Sequence, residues 1–316
     1  MTHFILRRLV VMAPVVIVVT MLAFSLILLL PGDPALVMLG DQNAMNTEVY
    51  HALRTELGLD KPIPIQYVDW LTRALQGNFG LSLRDQLPIG AEIGAHVFPT
   101  VELATLAMIF AFLIAVPTAT ISALMPNSLA DAVATFMALG GVAIPHFFLG
   151  ILLIYVFSLG LHLVPPSGYV PPWQDLGQNL RLMLLPAIAL STGFGAVLMR
   201  QIRSALIEAM QQDYIVTARA KGLRERVVIV KHAFKNALIP VIIVVGLEVG
   251  TLIGGAVVVE SVFSIPGMGR MIVDSINFRD FPSVQAAVLI LAVAVLLANL
   301  LADFLCGYVD PRIRFD

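Results

Sequence analysis

Residues 9–30 read LVVMAPVVIVVTMLAFSLILLL and contain no ionisable side chain. A helix of this length extends about 33 Å at 1.5 Å per residue, which is enough to cross a hydrocarbon core of about 30 Å. Apolar residues follow one another in this stretch and do not alternate with polar ones, so it is not a strand of a membrane β-barrel. The stretch is therefore predicted to be a transmembrane helix.

The composition of the whole chain agrees with that prediction. Of its 316 residues, 59% are hydrophobic and 13% are charged, and the mean hydropathy is +0.91, whereas an ordinary soluble domain carries about 25% charged residues. Further apolar windows occur at about 103–125, 132–162, 182–199, 237–259 and 281–302. We predict an all-α integral membrane protein with six transmembrane helices, in which the long 132–162 window is a single crossing that is kinked or tilted at Pro145.

The distribution of positive charge predicts the orientation. If the N-terminus is cytoplasmic, most of the 19 lysines and arginines lie on the cytoplasmic side, where the polar sequence is also shorter. Both termini are then expected in the cytoplasm. The first span begins after Arg7 and Arg8 but has no small-x-small cleavage site at its exit, which favours an uncleaved anchor. The single cysteine, Cys306, leaves no intrachain disulfide to form.

A polar region, 31–98, follows the first span. Its acidic residues outnumber its basic ones by eight to four. Short helices are predicted at about 48–57 and 66–75, with turns at 31–34 and 77–80. We expect a small extracytoplasmic domain that contributes to a substrate entrance, with a solvated loop that has no partner as the alternative.

A second polar and basic segment lies between the fourth and fifth spans. Ile207, Met210, Tyr214 and Ala218 recur at spacings of three and four, which predicts a helix with one apolar face. Gly222 is expected to end that helix, because glycine tolerates the left-handed conformation of a helix C-terminus. A second helix is predicted to run from about 227 into the membrane. Such a segment could dock a soluble partner or lie on an anionic lipid surface.

The residues of this segment carry a family resemblance. Residues 213–222, DYIVTARAKG, and 232–240, HAFKNALIP, closely resemble the cytoplasmic signature of permeases of binding-protein-dependent ABC importers. The branch that they resemble transports dipeptides and oligopeptides and includes glutathione and nickel permeases. Six further strings resemble that branch in the expected order: LPGDP at 30–34, LGLDKP at 57–62, GNFGLS at 77–82, VVVESVF at 257–263, PGMGR at 266–270 and DPRIR at 310–314.

This chain departs from the general permease motif. The usual Glu-Ala-Ala is replaced by VTA at 216–218, and the usual Leu-Pro by Phe234 and Lys235, with a proline only at 240. This variant resembles the peptide branch. The resemblance implies three parts: the N-terminus with the first transmembrane helix (1–30), the extracytoplasmic region (31–98) and the permease transmembrane domain (99–316), whose loop 200–236 is the cytoplasmic coupling loop.

The resemblance also implies the partners. The chain is expected in the bacterial inner membrane with a second homologous permease, two ABC ATPase subunits and an extracytoplasmic substrate-binding protein. It contains no Gly-x-x-x-x-Gly-Lys-Ser/Thr loop, so it is expected not to be an enzyme, and ATP and Mg²⁺ are expected on the ATPases. The residues expected to contact an ATPase are Tyr214, Thr217, Ala218, Arg219, Ala220, Lys221 and Gly222, with Ala218, Ala220 and Gly222 permitting close approach and Arg219 and Lys221 pairing with acids.

The fifth span holds the remaining candidates. Gly246, Gly250 and Gly254 share one face, which favours close helix packing, either within the chain or against the second permease. Glu248 lies mid-span, where an acid costs about 2.5–3.5 kcal/mol. It is expected to face a polar cavity or a partner rather than lipid. Its role is expected to be either substrate selectivity or that of a buried acid kept neutral by desolvation. Glu260, Pro266 and Gly267 are expected at an external gate, with an ordinary loop as the alternative.

Other functions are less well supported by the sequence. An intramembrane hydrolase would show a nucleophile motif such as Gly-x-Ser-x-Gly or a His-Glu-x-x-His pair, and none occurs. A secondary transporter often shows internal repeats, which are not found here. The sequence does not exclude a channel as the function, nor glutathione or a nickel chelate as the cargo. His146 and His162 lack metal-ligand spacing and are expected to pack in the core or line a cavity.

Overall fold

The computed structural model describes residues 2–29, 35, 47–56 and 58–309. The turn predicted at 31–34 and the family-like strings at 30–34 and 310–314 lie outside these residues, as does the first residue of the string at 57–62. The helices are α1 (Thr2–Leu29), α2 (Thr47–Glu56), α3 (Ile63–Leu75), α4 (Ile89–Leu124), α5 (Leu129–Ala143), α6 (His146–Leu153), α7 (Leu176–Met210), α8 (Asp213–Ala220), α9 (Glu225–Val227), α10 (Lys235–Phe263), α11 (Met268–Asn277) and α12 (Phe281–Val309). Two π-helical segments, Ile154–Gly160 and Val228–Phe234, extend α6 and join α9 to α10.

The all-helical prediction is confirmed for the part of the chain that is described, where Leu81 and Pro88 form only an isolated β-bridge. Among the described residues, four helices are long and apolar enough to cross a membrane: α4, α7, residues Pro240–Phe263 of α10 and residues Phe281–Leu305 of α12. The pair Leu129–Ala143 and His146–Gly160 qualifies as a fifth span if it is taken as one crossing, and Val10–Leu26 is a shorter apolar helix. The chain is therefore a multi-pass membrane protein.

The helix break at Pro145 is a sharp one. α5 and the helix that begins at His146 meet at 103°. Pro145 has no backbone N–H, and the residue before it, Ile144, has the extended backbone that a following proline favours (φ −85°, ψ 120°). The bend therefore occurs where the sequence predicted a kink.

The chain divides into two compact units. Of the described residues, the larger one contains 2–5, 99–269 and 295–309, and the smaller one contains those within 6–98 and 270–294. In the larger unit α7 is the central helix, because 67% of its apolar window is buried inside the chain against 22% for α4 and α10. It packs against α5, α6 and α10.

A buried stripe of alanines runs along α4, and one of them marks a close approach to α7. Ala107, Ala111, Ala115 and Ala119 recur every fourth residue and all are buried. A methyl group on Gly195 of α7 would lie 3.5 Å from Ala111 Cα, so the two backbones approach closely at this level. Small side chains drive such contacts between helices in lipid, where the hydrophobic effect does not.

The smaller unit contains the polar region after α1. Thr20 Oγ1 and Tyr67 OH are 2.8 Å apart, and the Phe24 ring contacts Tyr67 and Trp70 at centroid distances of 5.6 and 5.8 Å. α2 lies at the predicted place. α3 begins three residues earlier than predicted, because Pro62 has the extended backbone of a helix N-cap and Pro64 suits the first turn.

The helix predicted across 207–218 is two helices. α7 ends at Met210, and α8 begins at Asp213 after an extended Gln212 (φ −77°, ψ 149°). The break changes the helical phase, so the buried residues of α8 are Ile215 and Ala218, while Tyr214 is 38% exposed. The spacing argument was therefore wrong for Tyr214, because it assumed an unbroken helix.

Candidate functional site

The end of α8 is a Schellman turn. Gly222 has φ +74°, its N–H donates to the Arg219 carbonyl at 2.9 Å, and the Leu223 N–H donates to the Ala218 carbonyl at 3.4 Å. These two hydrogen bonds satisfy carbonyls that a helix C-terminus leaves without partners. The sequence therefore located the end of this helix correctly at a glycine in the left-handed region.

The loop contains both exposed and buried residues. Residues 219–227 are exposed throughout, and Val216 and Thr217 of α8 are exposed as well. Ala218 is only 5% exposed, and it belongs to the buried core together with Ile215 and Val228. Ala218 therefore supports α8 from beneath, and the expectation that its small side chain permits close approach by another protein was wrong.

Arg219 forms an ion pair with another residue of the same loop. Its guanidinium donates to both carboxylate oxygens of Glu225, at 2.6 and 3.2 Å, which joins the two ends of the turn. The hydrogen bond from Arg219 holds the pKa of the Glu225 carboxyl below its usual value, and the same pair raises the pKa of Arg219. The expected pairing of Arg219 with an acid on another protein would require this pair to open, whereas Lys221 is exposed on the same turn.

An ion-paired cluster that the sequence analysis missed joins three helices. Arg203 Nε and Nη2 on α7 donate to the two carboxylate oxygens of Asp131 on α5, each at 2.8 Å, and Nε also lies 2.9 Å from Ser122 Oγ on α4. Asp131 is 6% exposed. Charged residues just beyond the apolar windows could have indicated the cluster, but its members are 9 to 81 residues apart. It braces α7 a few residues before the loop.

Glu260 lies under a tight turn at the end of α10. It is fully buried and accepts a hydrogen bond at 2.6 Å from Thr100 Oγ1, which in turn accepts one at 2.8 Å from the Met268 N–H. A methyl group on Gly267 would overlap with the Glu260 carboxylate. The structure therefore brings together Glu260 and Gly267, two residues of the expected gate, and Pro266 directly precedes Gly267 in the turn.

A cavity of about 200 Å³ lies among α5, α6, α7 and α10. Its polar lining comes from His146, Glu248 and Thr251. The apolar lining comes from Val142, Leu190, Gly193, Phe194, Val197 and Leu252. Glu248 thus faces a cavity, one of the two positions that the sequence allowed, and His146, from the broken helix 102 positions earlier, lines it too.

The glycines on α10 do not share one environment. A methyl group on Gly246 would overlap with Ala302 of α12, and one on Gly250 would lie 3.3 Å from Val295 Cγ1. Gly254 has no heavy atom within 4 Å of such a methyl group and is exposed. The first two glycines therefore face the chain's own last helix.

The larger unit also has a wider, more open cavity of about 700 Å³ near the start of α7, and His162, Asp175 and Arg181 are among its lining residues. Close to it in sequence, Tyr169 OH donates to Glu102 at 2.7 Å. Burial, with this hydrogen bond, raises the Tyr169 pKa well above its usual value. This loop is thereby tied to α4.

In the smaller unit, the family-like string at 77–82 ends at a buried carboxylate. Asp280 accepts hydrogen bonds from Ser82 Oγ (2.6 Å), the Leu83 N–H (3.0 Å) and Ser283 Oγ (2.8 Å). Asp280 directly precedes α12, where a carboxylate stabilises a helix N-terminus. The polar region is therefore attached to the start of the last helix.

These features define a class: a multi-pass helical membrane protein with an exposed, hydrogen-bonded loop between two long apolar helices. The chain belongs to the family described as binding-protein-dependent transport system inner membrane components. The model of that family matches residues 115–315, and the model of the N-terminal part of such components matches residues 1–85.

Similar proteins include the dipeptide transport system permease protein DppB of Escherichia coli K12, which is 39% identical over 337 residues covering 99% of both chains. The glutathione transport system permease protein GsiC of Salmonella typhi is 37% identical over 315 residues covering 100% of both chains. Among solved structures, the inward-facing MetNI methionine ABC transporter aligns with a TM-score of 0.58 and 16% identity, covering 69% of this chain and 96% of that chain. This last likeness concerns the fold alone.

Proposed function

We propose that this chain is one of two transmembrane subunits of an ATP-driven importer of dipeptides and oligopeptides. The observation that carries the proposal is the 39% identity with DppB over 99% of both chains. The exposed loop after α7, closed by its Schellman turn and the Arg219–Glu225 pair, supplies a rigid contact surface of the kind that such a subunit needs.

The proposed topology has six crossings. They are α1, α4, the bent pair beginning at α5, α7, α10 and α12. With the N- and C-termini in the cytoplasm of a bacterial inner membrane, loop 200–236 lies on the cytoplasmic side and region 31–98 on the other side. The domain boundaries are those of the sequence prediction: 1–30, 31–98 and 99–316.

In this proposal α8 is the coupling helix. It rests in a groove of an ATPase subunit, and two such subunits bind ATP and Mg²⁺ and move α8 when they close. Its exposed contact residues are Tyr214, Thr217, Ala220, Lys221 and Gly222, while Ala218 holds α8 against the transmembrane core and Arg219 shapes the turn. Because α7 is braced by Asp131 and Arg203, displacement of α8 is transmitted to the central helix.

The other end of the path is proposed to hold the gate. Pro266 and Gly267 lie in the turn after α10, and this turn packs against Glu260 near the end of the helix. In the proposed topology the turn is on the extracytoplasmic side, where an extracytoplasmic binding protein delivers cargo. Gly254, which faces open space, is proposed to contact the second permease, whereas Gly246 and Gly250 pack within the chain. The pore forms between the two permeases and opens to one side at a time.

The experiment is ATP-dependent uptake of a labelled dipeptide into vesicles that contain this chain, its partner permease, the ATPases and the binding protein. Uptake that requires all of them is expected. Uptake by this chain alone, without ATP, would refute the proposal and identify a channel or a self-sufficient transporter.

Contact with the ATPase is tested separately by cross-linking. In a Cys306→Ser background, Ala220→Cys should cross-link to an ATPase subunit through a reagent that carries a maleimide for the new thiol and a succinimidyl ester for a lysine of the ATPase. Gln178→Cys, at the opposite end of α7, is the matched control and should not. Cross-linking at position 178 but not at position 220 would reverse the proposed orientation.

A glutathione importer is the second candidate, because GsiC is nearly as similar to this chain as DppB is. The same vesicles distinguish the two cargoes, since ATP-dependent uptake of labelled glutathione and of a labelled dipeptide can be measured side by side.

A further inference from the structure

The cavity lined by His146, Glu248 and Thr251 lies within the span Pro240–Phe263 and its neighbours. Glu248 is close to the middle of that span, eight residues after Pro240. Among the described residues, no lysine or arginine forms an ion pair with its carboxylate. An acid at this depth that faces a cavity typically serves a substrate or ion path.

His146 is held in a fixed position beside the cavity. A methyl group on Gly193 would lie 2.5 Å from His146 Cε1, and one on Gly255 would lie 3.3 Å from His146 Cδ2, so only glycines leave room for the ring between α7 and α10. Its Nδ1 is buried and has no hydrogen-bond partner among the described residues.

The lining determines which ligand fits. A carboxylate, an imidazole nitrogen and the Thr251 hydroxyl can all accept hydrogen bonds, and a primary ammonium group has three N–H donors and no acceptor. The volume of about 200 Å³ corresponds to about seven water molecules at about 30 Å³ each. It therefore has room for a small polar group such as the ammonium-bearing end of a peptide.

We propose that this cavity is a subsite on the transport path that binds a primary ammonium group of the cargo. Glu248 supplies the charge, while His146 and Thr251 supply further acceptors. The bend at Pro145 is what brings His146 to the cavity, because it starts a new helix there. The inference rests on the proposed peptide importer, in which every cargo with a free N-terminus carries such a group.

The first test measures the electrostatics of the cavity without transport. In the assembled complex with Cys306→Ser, Val197→Cys places a thiol on the cavity lining. We would compare its reaction rates with 2-aminoethyl methanethiosulfonate, an ammonium, and 2-sulfonatoethyl methanethiosulfonate, an anion. Glu248→Gln should lower the ratio of the two rates about tenfold, Glu248→Asp should retain it, and Glu208→Gln, exposed on α7, is the control.

The second test uses cargo to protect the same thiol. Alanyl-alanine should slow the modification, N-acetyl-alanyl-alanine should not, and Glu248→Gln should abolish the difference. An unchanged rate ratio in Glu248→Gln, a thiol that reacts with neither reagent, or equal protection by both peptides would overturn the inference. Failure of ATP-dependent peptide uptake in the unmodified complex would instead refute the proposed function, and the rate ratio would still decide whether the cavity favours an ammonium group.

Discussion

Replacing Gly267 by alanine tests the packing of the turn after α10. The added methyl group would overlap with the Glu260 carboxylate, and favourable contacts between such atoms lie at about 3.5–4.0 Å. Glu260 is fully buried and is held by Thr100 at 2.6 Å, so it has no solvent into which to move. Either the turn shifts or the hydrogen bond to Thr100 breaks.

The magnitude follows from these two alternatives. Overpacking a well-packed core costs about 1–3 kcal/mol, and the loss of a buried hydrogen bond costs about 1–3 kcal/mol. Because only one of the two adjustments is needed, we expect Gly267→Ala to destabilise the chain by about 1–3 kcal/mol. For a chain of this size that corresponds to a fall in melting temperature of roughly 2–10 °C.

The assay is thermal unfolding of the detergent-solubilised complex, followed by loss of the monodisperse size-exclusion peak. Gly140→Ala is the matched control, because a methyl group there meets no heavy atom within 4 Å. Glu260→Ala should also reduce the cost of Gly267→Ala, since it removes the overlapping atoms. A melting temperature of Gly267→Ala equal to that of the control, or strictly additive effects of the two substitutions, would refute the reasoning.

Three other predictions concern the loop and its brace. Gly222→Ala should lower transport per ATP hydrolysed modestly, because φ +74° costs alanine about 1 kcal/mol. Gly222→Pro should abolish coupling, since proline cannot adopt this φ and has no N–H; wild-type coupling in Gly222→Pro would contradict this. The ion pair with Arg219 lowers the pKa of Glu225. The stability that this ion pair adds should therefore be present above the ordinary glutamate pKa and should be lost as the pH falls through the lowered pKa of Glu225. Amide exchange of residues 213–222 should therefore differ between Glu225→Gln and wild type at pH 7 and converge in strong acid, and a difference that persists there would argue against the pair. Asp131→Asn should lower the melting temperature through the loss of the Arg203 pair, whereas Asp69→Asn, in an exposed ion pair, should leave it unchanged.

The local sequence pattern was sufficient to predict the backbone of much of the loop, but not the contacts of its side chains. The glycine stop at 222 was predictable, because a left-handed residue at a helix end is a preference of the backbone itself. The exposure of Tyr214 was not, because it depends on an extended residue at 212 that breaks the helix. The ion pair between Arg219 and Glu225 was not predictable either, because the turn formed at Gly222 is what brings the Glu225 carboxylate to Arg219.

The amino-acid sequence by itself determined that this protein is helical and crosses the membrane. In lipid, backbone N–H and C=O groups can form hydrogen bonds only with one another, and each long apolar window indicates a segment that lies in lipid. It also determined the family, through strings of residues in a fixed order. Only the tertiary structure decided that His146 and Glu248 line one cavity and that Gly267 lies against Glu260. Such pairings depend on how separate helices pack around α7, and helix packing is set by the fit of many side chains at once, not by any local repeat.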